Sequence, residues 1–107
     1  MKQSQRWLLL FFTLISSITL SGAAAAQDGK ALYTSKGCVA CHGTDGKEPI
    51  MPNYPKLAGQ NSAYLLEQMK DIKSGARSSG QSAVMKPMVA NVTDDELKAI
   101  ANYLSTQ

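Results

Sequence analysis

The spacing of apolar residues along the chain predicts helices joined by long loops. In the segment "SAYLLEQMKDIKSG", Leu65, Met69 and Ile72 recur at positions i, i+4 and i+7, which lie on one face of an α-helix. The C-terminal segment "TDDELKAIANYLSTQ" carries a second face of this kind, formed by Leu97, Ile100, Ala101 and Leu104. No stretch alternates between apolar and polar residues for long enough to indicate a β-strand. The sequence therefore predicts an all-α fold.

Capping residues indicate where these helices begin and end. Asp28 is a suitable N-cap for a first helix from about Gly29 to Lys36. Asn61 or Ser62 can cap the next helix, and Gly75 supplies its C-terminal stop. These signals predict two helices separated by a long connection.

The last helix has the clearest start signal. Thr93-x-x-Glu96 matches the capping box, in which each side chain accepts a hydrogen bond from the other residue's backbone N–H. Residues 43–60 are rich in Gly and Pro, which predicts a loop. We predict a second loop over residues 76–91, "ARSSGQSAVMKPMVAN".

The first 26 residues have the order of parts found in a secretory signal peptide. Lys2 and Arg6 give a basic start, residues 7–20 form an apolar run, and "SGAAAA" fits a small-residue cleavage site. The run is shorter than the roughly 20 residues that span a bilayer, although the alanines could extend it into an uncleaved anchor. We expect a signal peptide over residues 1–26, a mature domain over residues 27–107, and export to the periplasm.

Charge and composition narrow the class of protein. The full chain has a net charge of +3, and loss of Lys2 and Arg6 leaves nine basic and eight acidic side chains, so the mature charge is about +1. This balance provides no basic stripe for binding nucleic acid. The only Trp and both Phe precede residue 27. A domain this small usually needs a disulfide, a metal or a cofactor in addition to its core.

Both cysteines and the only histidine lie within five consecutive residues, Cys38 to His42. A structural zinc site needs four ligands, one more than this cluster provides. A thioredoxin-like dithiol needs a βαβ context that the helical pattern does not offer. A disulfide between Cys38 and Cys41 suits an exported protein but gives His42 no role.

The same residues, "CVACH", match the c-type haem attachment signal Cys-x-x-Cys-His. At about 100° per residue on a helical turn, Cys38, Cys41 and His42 point into one sector. Both thiols can then bond to one haem while the imidazole reaches its iron. A covalently bound haem would also add the apolar volume that the sequence lacks.

The chain resembles the class I c-type cytochromes, in particular the small bacterial monohaem proteins and single halves of their two-haem relatives. The likeness rests on motifs in the right order: "GKALY", "CVACH", "YPKLAGQ", "YLLEQMKDIKSGAR", "MKPMVANVTDDEL" and "IANYLSTQ". It implies a cytochrome c fold of four to five short helices around one haem c. It also implies iron ligation by a histidine and a methionine.

The resemblance assigns roles to individual residues. Cys38 and Cys41 would form the thioether bonds to haem, and His42 would be one axial iron ligand. The second ligand in such proteins is a methionine shortly before the residue that caps the last helix, which indicates Met85, with Met88 as the alternative. Pro55 resembles the proline whose carbonyl oxygen accepts the second N–H of the axial histidine. Gly29, which has no side chain, is expected to let the first and last helices approach closely.

The function implied is one-electron transfer between respiratory redox partners, with no enzymatic activity and no small-molecule substrate. We expect a monomer whose electron donor and acceptor are redox proteins, with membrane respiratory complexes as the expected partners. Lys36, Lys47 and Lys86 are candidates for guiding an acidic partner to the haem edge. Two alternatives are an electron-transfer subunit of a larger dehydrogenase or oxidase, and a haem enzyme or gas sensor with an open iron position.

Overall fold

Five α-helices and one 3₁₀ turn form the fold of residues 27–107, which are the residues described by the computed structural model. The predicted signal peptide over residues 1–26 lies outside this range. The helices are α1 (Gly29–Ser35), α2 (Val39–His42), α3 (Ser62–Ser74), α4 (Ser82–Val89) and α5 (Asp94–Ser105), and the 3₁₀ turn covers Thr44–Gly46. The all-α prediction is confirmed. In this part of the chain, no helix combines the length and the apolar character required to cross a bilayer.

The predicted helix starts are confirmed by hydrogen bonds at each N-cap. The Asp28 carboxylate accepts from the backbone N–H of Ala31 at 3.1 Å and begins α1. The Asn61 side chain accepts from the N–H groups of Ala63 and Tyr64 at 2.9 and 3.2 Å and begins α3. Gly75 ends α3 in the left-handed conformation, with φ of 90°, which glycine adopts without steric cost.

The capping box of α5 forms as predicted. The hydroxyl group of Thr93 accepts from the N–H of Glu96 at 3.2 Å, and the Glu96 carboxylate accepts from the N–H of Thr93 at 3.0 Å. Asp94 and Asp95 follow in the first turn, where negative charge is favourable because the helix dipole is positive there. The α5 helix therefore has a well-defined start beside its buried face.

The prediction of a loop over residues 76–91 is wrong for residues 82–89, which form α4. Proline normally interrupts a helix because it lacks a backbone N–H. Pro87 is the sixth of eight residues in α4, so it removes only the hydrogen bond to the carbonyl of Ala83 and leaves the first turn intact. The α4 helix packs against α3, and Val89 at its end is 4% exposed. Tertiary packing therefore outweighs the local effect of the proline.

The core forms where α5 packs against both α1 and α3. The predicted apolar face of α5 is buried throughout: Leu97, Ile100, Ala101 and Leu104 are each at most 2% exposed. Gly29 permits the contact with α1, since a Cβ atom there would lie 2.7 Å from Cβ of Tyr103 and overlap the backbone of Ala99. The rings of Tyr33 and Tyr103 meet at the same contact, with their centroids 5.8 Å apart. The predicted close approach of the two helices is present.

Candidate functional site

A cavity of about 440 Å³ lies among the helices and the two long loops. Its walls are mainly apolar and include Leu65 and Ile72 from α3, and Leu97 and Ile100 from α5. Cys38, Cys41 and His42 also line it. Cavities of this size and character are typical of small-molecule and cofactor sites. The residues singled out by the sequence therefore share one large apolar cavity.

The "CVACH" segment forms the helical turn that its spacing predicts. The N–H groups of Cys41 and His42 both donate to the carbonyl oxygen of Cys38, at 3.3 and 2.9 Å. Gly43 ends the turn with φ of 77°, and a Cβ atom there would overlap the backbone of Glu48. The turn thus directs both cysteines and the histidine toward the cavity, and it ends at a position that requires glycine.

The loop that follows His42 is fixed by backbone hydrogen bonds. The N–H of Ile50 donates to the carbonyl of Cys41 at 3.0 Å. The N–H groups of Leu57 and Ala58 donate to the carbonyl of Gly46 at 3.0 and 3.1 Å, and that of Gly59 donates to Leu104 at 2.9 Å. These contacts attach the loop to the end of α5 and hold residues 54–57 beside the cavity.

His42 is 7% exposed, and its ring is oriented by this loop. Nδ1 lies 3.4 Å from the carbonyl oxygen of Pro55, at the long end of the hydrogen-bond range. A ring that donates from Nδ1 carries its free electron pair on Nε2. Burial lowers the pKa of His42, opposed by the contact with Pro55. Burial therefore favours the neutral imidazole, the form that binds metal ions.

The cysteines do not support the other interpretations of the motif. The structure places no disulfide between Cys38 and Cys41, so both sulfur atoms are available for another bond. Burial raises the pKa of the Cys38 thiol, whereas a redox-active dithiol needs a lowered one. Within residues 27–107, no three side chains of His, Cys, Asp or Glu come together as a metal site, which argues against zinc.

Three methionines line the cavity: Met69, Met85 and Met88. Met85 is partly buried against the core, whereas Met88 is 49% exposed. The methyl carbon of Met88 lies 3.4 Å from the position of a Cβ atom on Gly37, beside the first cysteine. Met51 is 46% exposed and does not line the cavity. Both methionines proposed from the sequence therefore reach the site, from α4 rather than from a loop.

Charged residues are distributed differently from the sequence expectation. Lys36 lines the cavity but forms an ion pair with Glu96 at 3.2 Å. Lys47 and Lys86 are exposed and are not among the cavity residues. Of these three candidate lysines, Lys36 therefore lies at the cavity, and Lys47 and Lys86 are solvent-exposed away from it. Arg77 also lines the cavity, although it was not among the candidate residues. The sequence shows it only as a single arginine in a segment rich in serine and glycine.

These residues fit a covalently bound haem. The apolar cavity can bury the porphyrin, two thiols are available for thioether bonds, and a neutral imidazole has a free nitrogen for iron. A methionine sulfur on α4 can supply a soft second ligand. None of the residues that line the cavity conflicts with this group.

Comparison with known proteins supports the same interpretation. The family model for cytochrome c matches residues 26–107. Cytochrome c4 of Pseudomonas aeruginosa is 42% identical over 100 residues, covering 92% of this chain and 48% of the relative. Cytochrome c-554(548) of Halomonas halodenitrificans is 41% identical over 87 residues, covering 81% of this chain and 99% of the relative. The chain thus spans about half the length of one relative and nearly all of the other.

A solved structure agrees in fold as well as in sequence. Reduced recombinant cytochrome c4 from Pseudomonas stutzeri superposes with a TM-score of 0.63 and 39% identity, over 77% of this chain and 45% of that one. The cavity, the "CVACH" turn and these matches lead to one conclusion: the chain belongs to the cytochrome c family and carries covalently bound haem c with its iron.

Proposed function

We propose that this protein is a periplasmic one-electron carrier that holds haem c through Cys38 and Cys41 and ligates its iron with His42 and Met85. The observation that carries this proposal is that the "CVACH" turn and the methionines of α4 line the same apolar cavity. Bound haem iron supplies the redox chemistry by changing between the ferric and ferrous states. The chain contributes ligation, burial and access for partners.

The proposed roles of the "CVACH" residues follow from their geometry. Cys38 and Cys41 lie one helical turn apart at the cavity wall, so their sulfur atoms can hold one porphyrin at two points. His42 follows directly, and its burial favours the neutral ring. The nearby Pro55 carbonyl favours the proton on Nδ1 and leaves Nε2 free to bind the iron.

Met85 is favoured over Met88 because of where the two side chains lie. Met85 is partly buried and packs against the core. Met88, one turn later on α4, is about half exposed and lies against Gly37 at the edge of the cavity. A sulfur ligand to the iron would have to lie inside the cavity, and the partly buried Met85 meets this requirement better than the half-exposed Met88. Met88 then acts as an apolar cover at the edge.

Ligation of the iron by both His42 and Met85 would favour a role in electron transfer over a role in catalysis. Two protein ligands leave the iron no open position for a substrate. A thioether ligand raises the reduction potential relative to a second nitrogen ligand, and the apolar walls of the cavity favour the less charged ferrous site. Exposed apolar side chains at the cavity, Tyr64, Val84 and Met88, provide a surface where redox partners can approach the haem edge.

The decisive experiment compares Met85→Ala with Met88→Ala in haem-loaded protein. We expect Met85→Ala to lose the sulfur-to-iron charge-transfer band of the oxidised protein, while Met88→Ala retains it. The reverse result would assign the ligand to Met88, and retention in both variants would refute ligation from α4.

A second measurement separates a carrier from a protein with an open iron position. The reduced native protein should not bind carbon monoxide rapidly, whereas Met85→Ala should. Rapid binding by the native protein would indicate a haem enzyme or gas sensor. Recovery of the native protein as a free monomer after osmotic shock would support a periplasmic carrier, and recovery only within a membrane complex would identify it as a subunit.

A further inference from the structure

Two tyrosine rings connect the cavity with the contact between α1 and α5. Tyr33 lines the cavity and is 1% exposed, whereas Tyr103 is half-buried and is not among the cavity residues. Their ring centroids are 5.8 Å apart, and the ring planes are inclined at 55°, which is within the range of interacting aromatic pairs. The two rings therefore form a continuous aromatic path that leads from the cavity wall toward the protein surface.

The hydroxyl groups of these two tyrosines have different partners. The Tyr33 hydroxyl donates to the backbone carbonyl oxygen of Gly43, and the Tyr103 hydroxyl donates to the carboxylate of Asp45. A backbone carbonyl is a very weak base, whereas a carboxylate can accept a proton. Among the tyrosines of residues 27–107, Tyr103 alone donates to a carboxylate.

This difference decides which tyrosine gives up an electron more easily. Removal of one electron from a phenol makes its hydroxyl group strongly acidic. At Tyr33 no base is in position to take the proton, so a radical cation would remain in the apolar core, where an unpaired charge is costly. At Tyr103 the proton can move to Asp45 along the existing hydrogen bond. Tyr103 is therefore the easier of the two to oxidise, although Tyr33 lies nearer the cavity.

The turn that carries Asp45 holds its carboxylate in place. Asp45 has φ of 57°, a left-handed conformation that aspartate and asparagine adopt more readily than most residues. The next residue, Gly46, donates to Gly43 at 3.2 Å and accepts from Leu57 and Ala58. No lysine or arginine of residues 27–107 forms an ion pair with Asp45. The carboxylate is thus fixed beside the phenol of Tyr103 and is free to act as its base.

We propose that Tyr103 and Asp45 form a second redox site, which removes an oxidising equivalent from the cavity by way of Tyr33. The oxidant is a radical of the alkoxyl class, which organic hydroperoxides yield. The site goes beyond electron carriage, since it acts on an oxidant and not on a redox partner of the haem.

The proposed step balances in atoms and electrons. One electron leaves Tyr103, passes through Tyr33 and reduces the alkoxyl radical to an alkoxide, which takes a proton from water and becomes an alcohol and hydroxide. The O–H bond of Tyr103 breaks, and its proton forms a new O–H bond on the Asp45 carboxylate. The products in the protein are a neutral tyrosyl radical at Tyr103 and a protonated Asp45. A thiolate can restore the phenol by giving one electron and becoming a thiyl radical, while Asp45 returns the proton.

The test starts the oxidation at the rim of the cavity. Val84 lines the cavity and is 61% exposed, and Val84→Cys provides a thiol for a ruthenium tris-bipyridine photo-oxidant, because haem occupies Cys38 and Cys41. Light, with persulfate as electron acceptor, converts the ruthenium complex to a one-electron oxidant that stands in for the alkoxyl radical. The rate at which a tyrosyl radical appears in the ferric, haem-loaded protein is measured by freeze-quench electron paramagnetic resonance.

Three substitutions in this labelled protein locate the radical and its path. Tyr103→Phe keeps the ring at the contact and should lose the tyrosyl signal. Tyr64→Phe is the matched control, because Tyr64 also lines the cavity and is 52% exposed, and it should keep the signal. Tyr33→Phe should slow the appearance of the signal, because phenylalanine is much harder to oxidise than tyrosine.

Asp45→Asn tests the transfer of the proton. Asparagine tolerates the same left-handed backbone, so the turn is kept while the base is removed. We expect the radical to form about 100-fold more slowly, in line with the usual contribution of a positioned base.

A retained signal in Tyr103→Phe would overturn the proposal, as would an unchanged rate in Asp45→Asn or in Tyr33→Phe. Attachment of the ruthenium label at Cys38 or Cys41, detected by peptide mass spectrometry, would instead refute the proposed haem attachment, which is a distinct result.

Discussion

The hydroxyl group of Tyr33 donates a hydrogen bond of 2.6 Å to the carbonyl oxygen of Gly43. Tyr33 is 1% exposed on α1, and Gly43 is the residue directly after His42. This bond ties the first helix to the end of the "CVACH" turn. It also pairs a carbonyl group that would be costly to leave unsatisfied beside the core.

Replacing Tyr33 with Phe removes this bond and keeps the ring. We expect Tyr33→Phe to lower the free energy of unfolding by about 1 kcal/mol, measured by urea titration of the haem-loaded protein. Tyr64→Phe is the matched control because Tyr64 is 52% exposed, and it should have almost no effect. Equal values for the two variants would show that the bond to Gly43 contributes nothing.

Two tyrosines predict a loss of stability at high pH. The pKa values of Tyr33 and Tyr103 are both raised from 10.0 to about 12, mainly because the hydroxyl groups are buried. Between these values the unfolded chain has released the proton and the folded chain retains it, so stability falls as the pH rises. The free energy of unfolding should therefore fall from pH 10 to pH 12. The double variant Tyr33→Phe/Tyr103→Phe should show a shallower fall, and an unchanged slope would contradict the assignment.

The contact between α1 and α5 depends on the absence of a side chain at residue 29. Gly29→Ala would place a Cβ atom 2.7 Å from Cβ of Tyr103 and against the backbone of Ala99. Forcing extra atoms into such a contact costs about 1–3 kcal/mol, which thermal or urea unfolding would detect. Lys30→Ala, on the exposed side of the same helix, should stay within about 0.5 kcal/mol of the native value. A native-like Gly29→Ala would mean that the helices can separate without loss.

The capping box of α5 gives a prediction at a helix end. Thr93→Ala removes the hydroxyl that accepts from the N–H of Glu96 and should cost about 1 kcal/mol. Thr34→Ala serves as control, because the Thr34 hydroxyl bonds only within its own helix and is exposed. That control should be neutral or slightly stabilising, since alanine favours helix more than threonine does. The two urea midpoints should therefore move in different directions or by clearly different amounts.

The hydrogen bonds of the Glu96 carboxylate lead us to expect a loss of stability in acid. Hydrogen bonds from the Thr93 backbone and then from Lys36 lower the pKa of its carboxyl group below 4.5. Glu96 thus contributes fully to the free energy of unfolding at a pH above the pKa of its carboxyl group in the unfolded chain. This contribution is lost as the pH falls through the pKa of that group in the folded protein. We expect Glu96→Gln to show a weaker decrease in the free energy of unfolding below pH 4.5 than the native protein. Parallel curves for the two proteins would exclude this role.

The sequence predicted α1, α3 and α5 well because their signals are local. Asp28, Asn61 and Thr93 each cap their own helix, and the buried face of α5 follows directly from its spacing. The α4 helix was missed because Pro87 and the serines before it favour a loop. The packing of Val89 on the core, which depends on residues distant in sequence, decides in favour of the helix.

At the candidate site, too, the residues that depend on local structure could be predicted and the one that depends on distant contacts could not. The positions of Cys38, Cys41 and His42 follow from one helical turn, so their spacing alone predicts that they lie together. The place of Arg77 depends on Gln68 from α3 and Ser82 from α4, which meet only in the folded chain. No local pattern contains that information.

The cavity of about 440 Å³ has a consequence for how much of this protein a cell accumulates. A chain that misses haem attachment has to leave apolar walls in contact with water or collapse around them, and either state is less stable than the filled one. Such chains open more often and are cut by proteases in proportion. We therefore expect the steady-state level of the protein to depend on haem supply and on the rate of attachment, in addition to the rate of synthesis.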